Sequence, residues 1–104
     1  MSPRPSSLRA SVARRTVGIP RQQYDRSYFL SDRCEGFREY VADRGVSHVK
    51  ERLLAKVDPR PSERILELGA GRGEVLLACA RRGARAYGID YSRDAVSLGR
   101  ETCG

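Results

Sequence analysis

Residues 64–73 read RILELGAGRG, and this stretch decides the fold of the 104-residue chain. The apolar run 64–68 lies between Pro61 and Gly69, a pattern typical of a strand buried on both faces of a parallel sheet. The three alternate glycines that follow allow positive φ angles, and they leave the backbone bare enough for a ligand to lie against it. The stretch therefore predicts a strand, a tight glycine-rich turn and the start of a helix.

A second strand and two helices are predicted around and after this turn. Residues 74–82 carry apolar side chains at helical spacing, and Gly83 stands where a left-handed residue ends a helix. Residues 85–90 predict the second strand, and Ser92 is placed to cap a last helix through Arg100. The order strand, helix, strand, helix predicts the α/β class, with the two strands parallel.

The segment ahead of the first strand, residues 24–62, predicts a helical lead-in. Its beginning, residues 24–30, holds three of the seven aromatic residues, and so dense a cluster must dock on another element. From Glu35 onward apolar residues recur at helical spacing, and Gly45 divides them into two predicted helices. Two prolines within residues 58–62 then end the second helix.

Residues 1–23 predict a disordered basic tail. They contain five arginines and no acidic residue, so most of the formal net charge of +7 lies there. Such a segment cannot bury enough surface to order itself, and it is open to interpretation as an inert tail, an organellar transit peptide or a phosphate-binding arm. Five arginines without interleaved aromatic residues predict no specific nucleic-acid partner. The chain thus divides into residues 1–23, 24–62 and 63–104.

Composition excludes several other classes of protein. No run approaches the roughly 20 apolar residues of a membrane-spanning helix, and no leader of secretory type opens the chain, so we expect no membrane partner. Cys34, Cys79 and Cys103 are odd in number and widely spaced, which indicates reduced thiols and a cytoplasmic location. With His48 as the one histidine, no metal site is predicted.

The residues with chemical potential converge on the glycine turn and on the end of the second strand. Asp90 lies twenty-one positions after Gly69, where a carboxylate can accept hydrogen bonds from both hydroxyls of a ribose. The dinucleotide fingerprint requires a third glycine where this chain has Glu74, and a carboxylate there would repel a pyrophosphate. Glu67, at the end of an apolar strand, needs a cationic partner. The sequence therefore favours a ligand with a ribose and a positive charge.

Each of these residues also has a purely structural interpretation. The glycines can form only a tight turn, and Glu67 can be a strand-end residue that faces solvent. Asp90 can be a turn former before Ser92, and Tyr91 can serve packing alone.

The sequences Ile65–Gly73 and Gly88–Ser92 resemble motif I and the following acidic position of class I S-adenosyl-L-methionine-dependent methyltransferases. The close resemblance covers residues 63–100. Upstream, Tyr28–Ser31 and Cys34–Phe37 resemble the lead-in of some bacterial small-molecule methyltransferases. The resemblance implies S-adenosyl-L-methionine as the cofactor, bound by Glu67, Gly69, Ala70, Gly71, Gly73, Asp90 and Tyr91.

Roles for these residues follow from the same resemblance. The three glycines would pass under the methionine and the ribose, and Tyr91 would lie near the adenine. Glu67 would hold the ammonium group directly or through water, and Asp90 would bind the ribose hydroxyls.

The resemblance implies a Rossmann-like fold with a sheet of seven strands, of which this chain carries the helical lead-in and the first β-α-β-α. We therefore expect an incomplete fold, no identifiable catalytic residue and an unknown, small-molecule methyl acceptor. One alternative is an inactive truncated remnant, or a fragment completed by a C-terminal companion chain or by a dimer. A dinucleotide-binding oxidoreductase is a third hypothesis. On either of the first two hypotheses, we expect the 104-residue chain alone to transfer no methyl group.

Overall fold

The computed structural model describes residues 18–104. Most of the predicted basic tail, residues 1–17, lies outside these described residues, so its predicted disorder stays a prediction. The end of that segment forms a 3-10 turn, Arg21–Gln23, and the Arg21 guanidinium lies 5.0 Å from the centre of the Tyr91 ring. The last residues of the predicted tail therefore contact the rest of the molecule.

Seven further elements follow this turn, and they have the predicted order. The predicted lead-in contains two helices on either side of Gly45, as expected, preceded by one short helical turn. The elements are α1 Arg26–Phe29, α2 Phe37–Asp43, α3 His48–Val57, β1 Arg64–Leu68, α4 Glu74–Arg81, β2 Arg85–Ile89 and α5 Arg93–Cys103.

The two strands pair in parallel, which confirms the α/β prediction. Leu66 lies opposite Tyr87, and Leu68 lies opposite Ile89. The second strand ends at Ile89, one residue earlier than predicted, so Asp90 belongs to the loop at the carboxyl end of the sheet.

Local signals set the helix ends. Ser47 and Ser92 accept hydrogen bonds from the backbone N–H groups of Lys50 and Ala95, which satisfies donors in the first turns of α3 and α5. Gly83 has φ +88°, as expected for a left-handed residue that follows a helix. The last helix continues three residues beyond the predicted Arg100, to Cys103. Among residues 18–104, no helix combines the length and apolarity that a membrane crossing demands.

Two apolar clusters join four of the helices, and the first of them also packs against the sheet. The first cluster joins α3, α4 and the start of β2, and the second joins α1 to α5. Ile65 and Ala86 pack against the first cluster from the sheet. The buried members are Leu54, Val75, Cys79 and Ala84 in the first cluster and Phe29, Ala95 and Leu98 in the second. The aromatic segment therefore docks, as its composition predicted, and the element it docks on is α5.

The prediction that the first strand is buried on both faces is wrong for the described residues. Leu66 is 61% exposed and Leu68 is 71% exposed, because no described element covers the face of the sheet opposite Ile65. Tyr87 and Ile89 lie beside them on the same face, and both are exposed. An apolar run identifies a strand suited to burial, but it does not show that a covering layer is present.

We expect Gly73→Ala to destabilise the chain more than Gly69→Ala. Both glycines have positive φ, +86° and +73°, so alanine is strained at each by about 1 kcal/mol. A Cβ at Gly73 would also lie 3.0 Å from the Cα atom of Gly99 in α5, whereas a Cβ at Gly69 would meet nothing within 4 Å. Overpacking adds about 1–3 kcal/mol at Gly73. Urea unfolding followed by circular dichroism measures the free energy of unfolding of both variants. Equal losses would contradict the close packing of Gly73 against Gly99.

Candidate functional site

The glycine turn forms one wall of a cleft of about 370 Å³ at the carboxyl ends of the two strands. The cleft brings together six of the seven residues predicted to bind a cofactor: Glu67, Gly69, Ala70, Gly71, Asp90 and Tyr91. The seventh, Gly73, does not line it and instead packs closely against Gly99 of α5. The predicted constellation is therefore assembled at one place, with Gly73 in a supporting position.

The glycine turn is held open by its conformation and by hydrogen bonds to β2. Gly69, Gly71 and Gly73 have φ values of +73°, +57° and +86°, which favour residues without a side chain. The N–H groups of Gly69 and Ala70 both donate to the carbonyl oxygen of Ile89. The space above Gly69 is open, so a ligand can approach its backbone directly.

Asp90 ties the turn to the start of the last helix. Its Oδ2 accepts a hydrogen bond of 2.8 Å from the N–H of Gly71, and its Oδ1 accepts one of 2.8 Å from the N–H of Ser92. The structural interpretation as a turn former is therefore realised. A carboxylate has about four acceptor positions, so each oxygen can still accept a hydrogen bond from a hydroxyl in the cleft.

Glu67 carries a buried oxygen that has no hydrogen-bond partner. Its Oε1 atom is the one such side-chain atom found among the described residues. Burial, with Glu74 and Asp90 nearby, raises the pKa of Glu67 to about 7, although Lys50 acts in the opposite direction. A buried carboxylate without a partner is costly, and a cation in the cleft would supply what is missing.

Arg72, the most buried charged side chain among residues 18–104, has no role in the sequence-based prediction. It is 1% exposed and lies at the centre of a network that joins the glycine turn to the lead-in. Its guanidinium donates to the carbonyl oxygens of Phe29 at 2.7 Å and Glu35 at 2.6 Å. It also donates to Glu74 Oε2 at 2.6 Å, and its guanidinium carbon lies 5.1 Å from the centre of the Tyr40 ring. Arg72 thus fixes the lead-in against the turn.

This network pairs the carboxylate that the sequence predicts to repel an anionic ligand. Glu74 binds Arg72 and Lys50, whose Nζ lies 3.0 Å from Oε2. Its charge is compensated, so repulsion by Glu74 does not exclude a pyrophosphate. The missing third glycine of the dinucleotide fingerprint still argues against that ligand class. Arg72 lies two positions before Glu74, and this spacing is the sequence signal that indicates their pairing.

The lead-in supplies the opposite wall of the cleft, which the sequence did not predict. Tyr24, Tyr28, Cys34 and Glu35 all line it. The rings of Tyr24 and Tyr28 meet edge to face with centres 5.3 Å apart, and the rings of Tyr24 and Tyr91 have centres 6.5 Å apart. Tyr91 therefore combines packing with a place in the cleft. The dense cluster of aromatic residues in the lead-in is the sequence signal that could have indicated this wall.

The chain matches a family described as methyltransferase domain over residues 37–101. This match spans more than half of the 104 residues, and the chain belongs to that family. The fold agrees with this assignment. A crystal structure of a SAM-dependent methyltransferase from Geobacter sulfurreducens, in complex with S-adenosyl-L-homocysteine, superposes with a TM-score of 0.55 and 25% identity. That superposition covers 85% of this chain and 32% of the other, which identifies an incomplete Rossmann-like methyltransferase fold here.

Curated relatives act on different acceptors. The nocamycin O-methyltransferase of Saccharothrix syringae is 38% identical over 68 residues, which is 62% of this chain and 24% of the relative. A 23S rRNA (uracil(1939)-C(5))-methyltransferase of Thiobacillus denitrificans is 46% identical over 50 residues, or 48% of this chain and 12% of the relative. The chain therefore spans a quarter or less of these relatives.

Replacing the buried arginine should destabilise the chain strongly. Arg72→Met leaves two carbonyl oxygens without their donor and Glu74 without its closest cation, which costs about 3–5 kcal/mol. Arg38→Met is the matched control, because the Arg38 side chain is 86% exposed and should contribute less than about 0.5 kcal/mol. Chemical unfolding measures both. Similar losses in the two variants would show that the network does not hold the lead-in.

Stability should fall as the pH rises through the range in which Glu67 titrates. The pKa of Glu67 is about 7 in the folded chain and 4.5 ordinarily, so the folded state binds a proton that the unfolded state has released. That contribution to stability is fully present below the ordinary pKa of 4.5 and is lost progressively as the pH rises through the folded pKa of about 7. Glu67→Gln should remove this loss between about pH 5 and pH 8. The free energy of unfolding of the original chain and of Glu67→Gln is measured at several pH values. Parallel pH profiles would show that the pKa of Glu67 is not raised in the folded chain.

Proposed function

We propose that this chain forms the methyl-donor-binding part of an S-adenosyl-L-methionine-dependent methyltransferase. The observation that carries the proposal is the buried, unpartnered Oε1 of Glu67 beside an open glycine turn and Asp90. S-adenosyl-L-methionine has a ribose, an ammonium group and a sulfonium group, so its charge and hydroxyls match these acceptors. The crystallised relative in complex with S-adenosyl-L-homocysteine supports the same ligand class.

Each group in the cleft has a task that its chemistry allows. Glu67 would accept a hydrogen bond from the ammonium group, and this contact would satisfy the buried oxygen. Asp90 would accept hydrogen bonds from the ribose hydroxyls while it continues to hold Gly71 and Ser92. The bare backbone of Gly69 would let the ligand lie close to the turn. When bound, the cofactor supplies a methyl group on a sulfonium, which an acceptor nucleophile displaces.

For the acceptor we propose a small molecule. The nocamycin relative matches 62% of this chain, a larger share than the 48% to 58% matched by the rRNA methyltransferases. We assign no side chain of the described cleft to the acceptor. The groups that line the cleft either hold the turn and the lead-in together or are proposed to bind the cofactor.

Binding by the 104-residue chain alone should be weak. The sheet that carries the turn is open on one face, and Glu67, Asp90 and the turn offer only a few hydrogen bonds against the freedom that ligand and chain lose on association. We expect a Kd in the millimolar range at best and no methyl transfer. Titration of S-adenosylmethionine into isotope-labelled chain, followed by amide resonances, reaches this range and reports shifts at Gly69, Gly71 and Asp90.

Two substitutions test the assignment of groups. Glu67→Gln and Asp90→Asn should each weaken binding at least about fivefold to tenfold, because each removes charge-assisted hydrogen bonds. Glu39→Gln and Asp43→Asn make the same changes at exposed positions of α2 and should leave the Kd unchanged. If NAD shifted the same amides and S-adenosylmethionine did not, the dinucleotide hypothesis would replace this one.

A further inference from the structure

Three arginines line a second cavity, of about 420 Å³, beside the cleft. We call it the arginine pocket and define it by Arg21, Arg93, Ser97 and Arg100. The last three residues follow one another at intervals of four and three positions along α5, so they lie on one face of that helix. Arg21 joins them from the 3-10 turn. It is the last arginine of the basic segment, for which a phosphate-binding arm was one interpretation of the sequence.

The positive charge of the arginine pocket is not compensated by neighbouring carboxylates. None of its three guanidinium groups forms an ion pair within residues 18–104, whereas Arg26 pairs with Glu101 and Arg60 pairs with Asp58. The sequence before residue 18 contains no Asp or Glu, so it has no carboxylate side chain to offer. Other exposed arginines are also unpaired, but these three share one cavity. Together they present unpaired positive charge to a ligand.

One carboxylate, that of Asp90, also lines the arginine pocket. Its two oxygens already accept hydrogen bonds from the backbone N–H groups of Gly71 and Ser92. Three cations against one carboxylate leave a surplus of positive charge. Guanidinium groups bind phosphate oxygens through paired N–H donors, and the Ser97 hydroxyl can donate to the same group. The arginine pocket therefore suits an anion with several oxygens.

We infer that the arginine pocket binds the phosphate group of a small molecule, beside the cleft and not in it. A phosphate monoester carries a charge of about −1.5 to −2 at pH 7, which matches the surplus of arginines over carboxylates. Asp90 and Tyr91 line both cavities, so the phosphate would be a neighbour of the ligand in the cleft. The inference rests on the proposed function only for the identity of that neighbour, S-adenosyl-L-methionine.

A nucleic-acid strand fits the arginine pocket less well than a single phosphate group does. Each phosphodiester carries one negative charge, and a strand needs further basic side chains along its path. The adjacent depression shares Arg21 and Arg93 with the pocket, but it also contains the carboxylates of Asp25 and Asp94. A strand that crossed from one to the other would meet these like charges. The surplus of positive charge is therefore local, which favours a compact anion.

Titration of inorganic phosphate into the isotope-labelled 104-residue chain tests the site. Phosphate replaces chloride at constant ionic strength, so that general screening of charge stays the same. We expect the amide resonances of Arg93, Ser97 and Arg100 to shift together, with a Kd in the millimolar range. Phenyl phosphate, a monoester of a small molecule, should bind at least as tightly as inorganic phosphate.

Matched variants locate the site. Arg93→Gln with Arg100→Gln should weaken binding of phenyl phosphate at least about tenfold, because it removes two of the three guanidinium groups. Arg64→Gln with Arg85→Gln is the control, since these arginines lie opposite each other at the other end of the sheet. The control removes the same net charge and should change the Kd by less than about twofold. All four arginines are exposed, and circular dichroism of each variant verifies that the chain still folds.

Three results would overturn the inference. The first is the absence of shifts on α5 with phosphate and with phenyl phosphate, and the second is equal weakening by the two pairs of substitutions. The third concerns a single-stranded RNA of about ten nucleotides. If it bound about a hundredfold more tightly than phenyl phosphate, and Arg93→Gln with Arg100→Gln removed that binding, a nucleic acid would be the occupant.

A last titration relates the arginine pocket to the cleft. S-adenosylmethionine is added to the chain saturated with phenyl phosphate, and we expect both ligands to remain bound because they use different groups. Displacement of phenyl phosphate would show that the two ligands share one site, which would overturn the inference. Phosphate binding without any response of Gly69 and Asp90 to S-adenosylmethionine would support the arginine pocket and count against the proposed function.

Discussion

The guanidinium of Arg72 is the contact on which the arrangement of this chain depends. It is enclosed by the carbonyl oxygens of Phe29 and Glu35 and by the carboxylate of Glu74, with the ring of Tyr40 beside it. A buried charge is tolerated when all of its hydrogen-bond partners are present, and its loss is costly when one is removed. The lead-in and the glycine turn therefore form one unit, and the cleft between them has two walls.

The charges that remain in the cleft determine which ligands it can accept. Glu74 is neutralised by Arg72 and Lys50, whereas Glu67 keeps an unpartnered buried oxygen. Asp90 adds a second carboxylate at the same end of the sheet. The N-terminus of a helix after a glycine turn normally favours anions. Here the carboxylates of Glu67 and Asp90 oppose that tendency, and a ligand that combines hydroxyls with a positive charge matches these two acceptors.

Much of this structure could be predicted from the sequence because the signals are local. The apolar run 64–68, the alternate glycines and the capping serine Ser92 each act within a few residues, and the observed elements follow them closely. Predicting the place of Asp90 required one further rule, that parallel strands end at the same edge of a sheet. Six of the seven predicted residues consequently lie together in the cleft.

The rest could not be predicted because it depends on contacts between distant segments. Arg72 reaches a carbonyl oxygen forty-three positions earlier, and no periodicity marks a buried arginine in a turn. Tyr24 and Tyr28 were expected to dock, but their position on the cleft depends on that contact. The apolar run likewise predicted burial of Leu66 and Leu68, although periodicity carries no information about whether a covering layer is present.

The cleft presents an unpaired, buried carboxylate at Glu67, and we propose that a cationic nucleoside meets it. The carbon-13 resonance of the Glu67 side-chain carboxyl, followed as a function of pH, tests this directly. We expect a Glu67 pKa of about 7 in the free chain and a lower pKa in the presence of excess S-adenosylmethionine, because the ligand's positive charge stabilises the ionised form. A pKa near the ordinary 4.5 that does not respond to the ligand would contradict it.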